Sequence, residues 1–215
     1  MVTLETPTSD LALTWPVPGW AGFECFREEH PSAEPTCTKS QAGVLSTFES
    51  RAGLAIEVVE FCDHHFDELV EMYNEFEPKR AAQGLPPVGR DRIVAWLRHL
   101  QQSGHTLLAL WDDRVIGYSM LCPVDSQRAE FAIFLHQDFR NQGIGTGLTE
   151  VTLNYARHKG IRHVWLSVEV NNRCAIRVYK KKGFQVSGIF GPEQEMTLDL
   201  EETTRNEVGA HEPAA

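Results

Sequence analysis

Apolar and polar residues are spaced along this chain in two patterns, one typical of strands and one typical of helices. Apolar runs of about four to eight residues are typical of buried strands, whereas apolar residues three and four positions apart mark the inner face of a helix. The strand pattern predicts seven strands. They cover residues 54–61, 106–111, 115–122, 129–135, 164–170, 184–190 and 194–200.

The helical pattern predicts four helices. The first covers residues 63–76 and can be capped by the carboxylate of Asp63, and the second covers residues 91–102. The third follows the glycines at 143–147, and the fourth covers residues 172–182. The residues predicted to be buried by the first two helices are Phe66, Leu69, Val70, Tyr73, Phe76, Ile93, Trp96, Leu97 and Leu100.

Composition predicts one domain with two tails. Residues 1–50 are rich in Pro, Thr, Ser and Glu and show no sustained period, so we expect a flexible N-terminal extension. The domain would occupy residues 51–200, and residues 201–215 would form a flexible tail. No leader pattern or run of 18 apolar residues is seen, so a cytoplasmic protein is expected. The five scattered cysteines, without a CxxC, predict neither a disulfide framework nor a zinc site.

Residues 129–147 run from an apolar strand through a glycine-rich turn into a helix. The first turn of a helix has unpaired N–H groups and the positive end of the helix dipole, so it can bind an anion. Gly143 and Gly145 lack the Cβ atoms that would keep a phosphate away from the backbone. The segment therefore predicts a site for a phosphate-bearing cofactor.

Three known nucleotide-binding motifs do not account for this segment well. A P-loop requires a Lys-Ser or Lys-Thr pair after its glycines, and none follows here. A dinucleotide fingerprint begins directly after a strand, whereas residues 136–142 separate Gly143 from the strand. An S-adenosylmethionine methyltransferase turn, with Glu169 on the ribose, is a distant alternative, since the 70 residues after Gly145 are too few for a doubly wound sheet.

Two segments together resemble the GNAT superfamily of acyl-CoA-dependent N-acyltransferases. The first is Arg140-Asn141-Gln142-Gly143-Ile144-Gly145, an [Arg/Gln]-x-x-Gly-x-[Gly/Ala] loop. The second, residues 172–184, matches the family pattern Asn-x-x-Ala-x-x-x-Tyr-x-x-x-Gly-Phe at every fixed position. The resemblance implies a three-layer α/β fold, in which a mostly antiparallel, twisted sheet of six to seven strands is flanked by about four helices.

The resemblance also implies an N-acetyltransferase that uses acetyl-CoA as co-substrate, without a metal, and acts by direct attack of an amine in a ternary complex. Backbone groups at the end of the fourth predicted strand would pair with the pantetheine arm and stabilise the oxyanion. The N–H groups of the glycine loop would hold the pyrophosphate. The residues implied to bind the cofactor are Ile133, Phe134, Leu135, Arg140, Asn141, Gln142, Gly143, Ile144, Gly145, Thr146, Asn172 and Tyr179.

Two catalytic residues are implied. Tyr179 has the family position of the general acid that protonates the departing thiolate. Glu130, just before the cofactor-binding strand end, is the first candidate for the base, and Glu169 is the second. Ser167 stands where relatives that acetylate N-terminal amines of ribosomal proteins carry a Glu, which disfavours that acceptor class.

The formal net charge of −10 conceals two segments of opposite sign. Residues 140–182 hold nine Lys or Arg and two acidic residues, a net charge of +7, with Arg140, Arg173 and Arg177 as candidate phosphate contacts. Residues 57–77 hold eight carboxylates and no Lys or Arg, and in the family this region borders the acceptor site. A cationic acceptor is therefore favoured over the alternative, a solvated acidic helix face.

Polyamines, aminoglycoside-like amines, amino acids and protein lysines are all candidate acceptors. The negative net charge argues against a nucleic-acid partner, no membrane partner is expected, and a homodimer is left open. An acyl-CoA-binding sensor or scaffold module without turnover is the main alternative function.

Overall fold

The computed structural model describes residues 43–77, 89–101 and 104–201. Within them, one sheet of eight strands has the order β1-β2-β3-β4-β5-β6-β8-β7. The strands are β1 Val44–Glu49, β2 Ala55–Glu60, β3 His105–Trp111, β4 Arg114–Pro123, β5 Arg128–Leu135, β6 His163–Glu169, β7 Gln185–Phe190 and β8 Glu193–Asp199. The helices are α1 Phe66–Glu75, α2 Arg90–Gln101, α3 Ile144–His158 and α4 Arg173–Lys181.

Helices cover both faces of the sheet, so the domain has three layers. α1 and α2 pack on one face, and α3 and α4 pack on the other. The apolar residues that the helical pattern assigned to the inner faces of α1 and α2 are all buried, which confirms that prediction. Only β5 and β6 run parallel, so the mostly antiparallel sheet is confirmed, with one strand more than expected. A doubly wound parallel sheet is excluded.

The turn between β3 and β4 shows how local sequence sets this topology. Asp112 and Asp113 both have positive φ, 51° and 61°, a conformation that matches the twist of paired strands. Further along β4, a Cβ at Gly117 would lie 3.3 Å from Leu148 of α3. Glycine at that position therefore allows α3 to approach the sheet closely, and α3 carries the glycine loop at its start.

β1 lies inside residues 1–50, the segment that the sequence assigned to an extension. It pairs antiparallel with β2, and the ring of Phe48 lies 2.5 Å from the position that a Cβ of Gly147 would occupy. β1 is the edge strand and most of it is exposed, so it lacks the apolar pattern by which a buried strand is detected. The ordered sheet therefore begins at Val44, before the predicted domain boundary at residue 51.

The cysteines correct one expectation. Cys62 is disulfide-bonded, whereas Cys122 is a buried free thiol and Cys174 an exposed one. Spacing motifs such as CxxC report only local pairs, so they carry no information on a bond between distant cysteines. Cys25 and Cys37 lie outside the described residues. No helix in the described ranges is long and apolar enough to cross a bilayer.

Candidate functional site

A cleft opens between β5 and β6. Only three residue pairs join these parallel strands, and the last is Glu130 with Trp165. Beyond it, β5 continues to Leu135 and β6 to Glu169 without a ladder between them. The edge of β5 from residue 131 onward therefore has backbone groups that no neighbouring strand uses, and an extended ligand can pair with such an edge.

The glycine loop forms a row of backbone donors at the end of this cleft. Asn141 (φ 62°) and Gly143 (φ 87°) both adopt the left-handed conformation. In the described part of the chain, the five N–H groups of residues 141–145 donate no hydrogen bond. A Cβ at Gly145 would meet no heavy atom within 4 Å. The loop thus has the donors and the space that a phosphate group requires.

Two members of the predicted loop have their donors occupied. The N–H of Arg140 donates to Gln137 O at 3.3 Å, and the N–H of Thr146 donates to Gly143 O at 3.0 Å. The Arg140 side chain donates through Nε to Leu135 O at 3.0 Å and through Nη2 to Glu77 O at 2.6 Å. Burial lowers the pKa of this guanidinium, which nevertheless stays charged. The side chain thus uses two of its five donors to hold carbonyl groups, and its contact with the phosphates stays a prediction.

Residues of this loop also hold the C-terminal end of α1. Gln137 accepts from Glu77 N at 2.9 Å and donates to Glu75 O at 3.0 Å. The Arg140 guanidinium lies 4.9 Å from the centre of the Phe76 ring, which gives a cation–π contact. We call Gln137 and Arg140 the α1 staple, because their side chains join the end of α1 to the loop that precedes α3.

α4 brings Asn172 and Tyr179 to the other side of the cleft. Asn172 Oδ1 caps α4 by accepting from Ala175 N at 3.2 Å. The Nδ2 group of the same side chain is the donor that it can offer to a ligand. Tyr179 is 7% exposed and packs edge-on against Phe131 of β5, with ring centres 6.2 Å apart. Burial raises the pKa of its phenol.

The two arginines of α4 remain exposed. Arg173 and Arg177 both lie on its outer surface, and neither forms an ion pair with any described residue. Contact of either guanidinium with a phosphate stays a prediction.

The two candidate bases lie on the opposite face of the sheet from Tyr179. Glu130 is in register with Cys122 and, by alternation along β5, shares a face with Phe134, which packs toward α1 and α2. Glu169 ends β6 and is in register with Glu193 of β8. Tyr179 and Glu130 therefore flank the opening of the cleft from its two sides.

Three of the eight carboxylates in the acidic segment around α1 form ion pairs with arginines. Glu71 pairs with Arg90, Glu75 pairs with Arg114 at 2.8 Å, and Asp63 pairs with Arg98 at 3.2 Å. This arrangement favours the alternative of a solvated, ion-paired helix face for these three carboxylates.

A second acidic surface was missed by sequence reasoning. On the face that carries α1 and α2, no described residue of β6 or β8 joins the core cluster, so this half of the sheet is uncovered. Glu169, Glu193 and Glu195 lie there, half-buried, and no Lys, Arg or His pairs with them among the described residues. Their strands are far apart in sequence from α1, and only the sheet topology places them beside the cleft.

Known proteins share this architecture. The sequence model of the Acetyltransferase (GNAT) family matches residues 66–184, more than half of the chain. An uncharacterised N-acetyltransferase of Mycobacterium tuberculosis (strain ATCC 25618 / H37Rv) is 34% identical over 83 residues, which are 38% of this chain and 53% of that protein. The chain therefore spans about half the length of this curated relative.

Solved structures match over most of their length. The GNAT domain of S. lividans PAT has a TM-score of 0.62 and 18% identity, over 72% of this chain and 96% of that one. The yncA protein of Salmonella typhimurium, solved with its cofactor acetyl-CoA, has a TM-score of 0.56 and 21% identity, over 68% of this chain and 95% of that one. At these identities the match bears on the fold.

Proposed function

This chain belongs to the Acetyltransferase (GNAT) family, and we propose that it moves an acetyl group from acetyl-CoA to a primary amine by direct attack in a ternary complex. The observation that carries the proposal is the row of five N–H groups at residues 141–145 that no described residue accepts from, next to a cleft whose β5 edge pairs with no strand of the described ranges.

Acetyl-CoA supplies an acetyl group that is activated as a thioester. The N–H groups of residues 141–145 would hold its pyrophosphate, and the free edge of β5 at Ile133 and Phe134 would pair with its arm. Asn172 would contribute its Nδ2 donor. The Leu135 carbonyl already accepts from Arg140, so it contributes less than predicted.

Tyr179 would act as the general acid. Its raised pKa keeps the phenol protonated throughout the physiological pH range, as a proton donor requires. Glu130 would accept, directly or through water, the proton that the ammonium group of the acceptor must lose before its nitrogen can attack. Glu169 is the second candidate for this role.

A cationic acceptor is supported by the uncovered acidic surface of β6 and β8 rather than by α1. Glu169, Glu193 and Glu195 have no cationic partner among the described residues, so an ammonium group that lies over them would be attracted. This charge is compatible with polyamines, aminoglycoside-like amines, amino acids and protein lysines alike, so all four classes belong in the assay.

The proposal is tested by thermal stabilisation with acetyl-CoA, followed by release of free thiol with a panel of amines. A ligand at about 100 times its dissociation constant stabilises a protein by roughly 2.7 kcal/mol, which raises the Tm by several degrees. Stabilisation with thiol release on one amine class would support the enzyme and identify its acceptor. Stabilisation without release on any amine would favour the sensor alternative, and no stabilisation would overturn the cofactor site.

Tyr179→Phe sharpens this test. Removal of a general acid should lower turnover about 100-fold, while the Kd for acetyl-CoA changes less than about twofold. Tyr155→Phe is the matched control, since the Tyr155 hydroxyl bonds Glu60, far along α3 from the glycine loop, and turnover should persist. Normal turnover of Tyr179→Phe would remove Tyr179 from the mechanism.

A further inference from the structure

The turn between β1 and β2 lies directly beside the glycine loop. The backbone N–H of Arg51 donates to Gln142 O at 2.8 Å. Phe48, three residues earlier, packs on Gly147 in the first turn of α3. These two contacts hold the turn against the start of α3, next to the N–H groups of residues 141–145.

The turn is also rigid in itself. Ser50 is 6% exposed, and its hydroxyl oxygen accepts from Ala52 N at 3.2 Å and from Leu54 N at 3.1 Å. Its backbone bonds Leu54 O at 2.8 Å, and Gly53 has the positive φ of 80° that the turn requires. Arg51 is therefore presented from a fixed backbone.

The Arg51 side chain runs along the loop. Its Cγ lies 3.6 Å and its Nε 3.7 Å from the position that a Cβ of Gly143 would occupy. The residue is exposed, and its guanidinium forms no hydrogen bond or ion pair with any described residue. Arg140 is the only Lys or Arg within residues 136–147, and it is bound to two carbonyls. Two donors of the loop's own arginine are thus engaged by carbonyl groups, whereas the Arg51 guanidinium beside the loop has no partner among the described residues.

We propose that Arg51 is a further cofactor-binding residue, whose guanidinium contacts the phosphate groups of CoA held by the N–H groups of residues 141–145. The inference rests on the proposed function of this loop. Arg51 lies outside residues 66–184, the part matched by the family model, so that match assigns it no role. A guanidinium suits this position because it donates several hydrogen bonds to phosphate oxygens while it neutralises their charge.

Isothermal titration with CoA and with dephospho-CoA, which lacks the 3′-phosphate, tests the proposal. Arg51→Gln should weaken CoA binding about tenfold, the loss expected for one charge-assisted contact at an exposed site, and Arg51→Lys should lose less. An equal loss for both ligands would place Arg51 on the pyrophosphate, whereas a loss confined to CoA would place it on the 3′-phosphate. Either result supports phosphate binding.

Arg92→Gln is the matched control, because Arg92 is an exposed arginine of α2 without a described partner, and the same charge is removed. Its Kd for CoA should stay at the wild-type value. Wild-type affinity of Arg51→Gln for both ligands would overturn the inference while the cofactor site stands. Absence of CoA binding by the wild-type protein would instead overturn the proposed function.

Discussion

Two helix ends lie near the cleft. Side chains bond the backbone groups of one end, whereas the backbone donors of the other end have no described acceptor. At the C-terminal end of α1, the α1 staple satisfies Glu75 O, Glu77 N and Glu77 O. At the start of α3, five successive N–H groups have no acceptor among the described residues. The C-terminal end of α1 is therefore capped by side chains, whereas the N–H donors at the start of α3 stay open within the described structure.

One short segment, residues 136–145, supplies both the side chains that cap α1 and the open backbone donors at α3. Its side chains turn toward α1, whereas its backbone donors stay open at α3. The arginine of the loop pattern thus has a positioning role in this chain, and the proposed anion site rests on the backbone donors. Substitutions that separate side-chain from backbone effects test this division.

Gly143→Glu should have the largest effect. Gly143 has φ 87°, so any side chain is strained there, and a Cβ would meet the Arg51 side chain, so a carboxylate at this position would add negative charge beside the loop and repel phosphate. We expect CoA affinity to fall by more than about 100-fold, measured by isothermal titration, because sterics and charge act together.

Gly160→Glu is the matched control for this substitution. Gly160 follows the other end of α3, has φ 80°, and a Cβ there would meet no heavy atom within 4 Å. It should show a comparable loss of stability without a loss of CoA affinity. Retained binding in Gly143→Glu would mean that the loop does not hold the phosphates.

The fold was largely predictable because its elements carry local signals. The inner faces of α1 and α2 follow from periodicity, and the predicted boundaries of both helices are within a few residues of the observed ones. β1 was missed because an exposed edge strand needs no apolar pattern. The Cys62 disulfide was missed because pairing between distant cysteines leaves no local trace.

The backbone part of the candidate site could be predicted from the sequence. Its side-chain contacts between residues distant in sequence could not. The glycine-rich turn before a helix indicated an anion site, since the start of a helix is a local feature, and the family resemblance implied the N–H groups of residues 140–145. The partners of Arg140, and the approach of Arg51 to Gly143, depend on contacts between residues distant in sequence. Likewise, charge counting could not distinguish Glu71, which pairs with Arg90, from Glu193, which has no cationic partner among the described residues.

Arg140→Met should have the next largest effect, and it should appear in stability. It leaves the carbonyls of Leu135 and Glu77 without their donor, so the free energy of unfolding should fall by about 2 kcal/mol in urea titrations. CoA affinity should change less than about threefold. Arg92→Met, an exposed position, controls for the lost charge. A tenfold loss of CoA affinity at wild-type stability would instead identify Arg140 as a phosphate ligand.

Gln137→Glu should have the smallest effect, because it keeps the acceptor for Glu77 N and removes the Nε2 group that contacts Glu75 O and His136 Nε2. We expect a loss of about 1 kcal/mol by the same titration, and none for the exposed Gln185→Glu, which makes the same exchange. Wild-type stability of Gln137→Glu would contradict the α1 staple. Since Gln137 and Arg140 hold the same chain end, the double variant should lose less than the sum of the single losses. Additive losses would mean that each side chain acts alone.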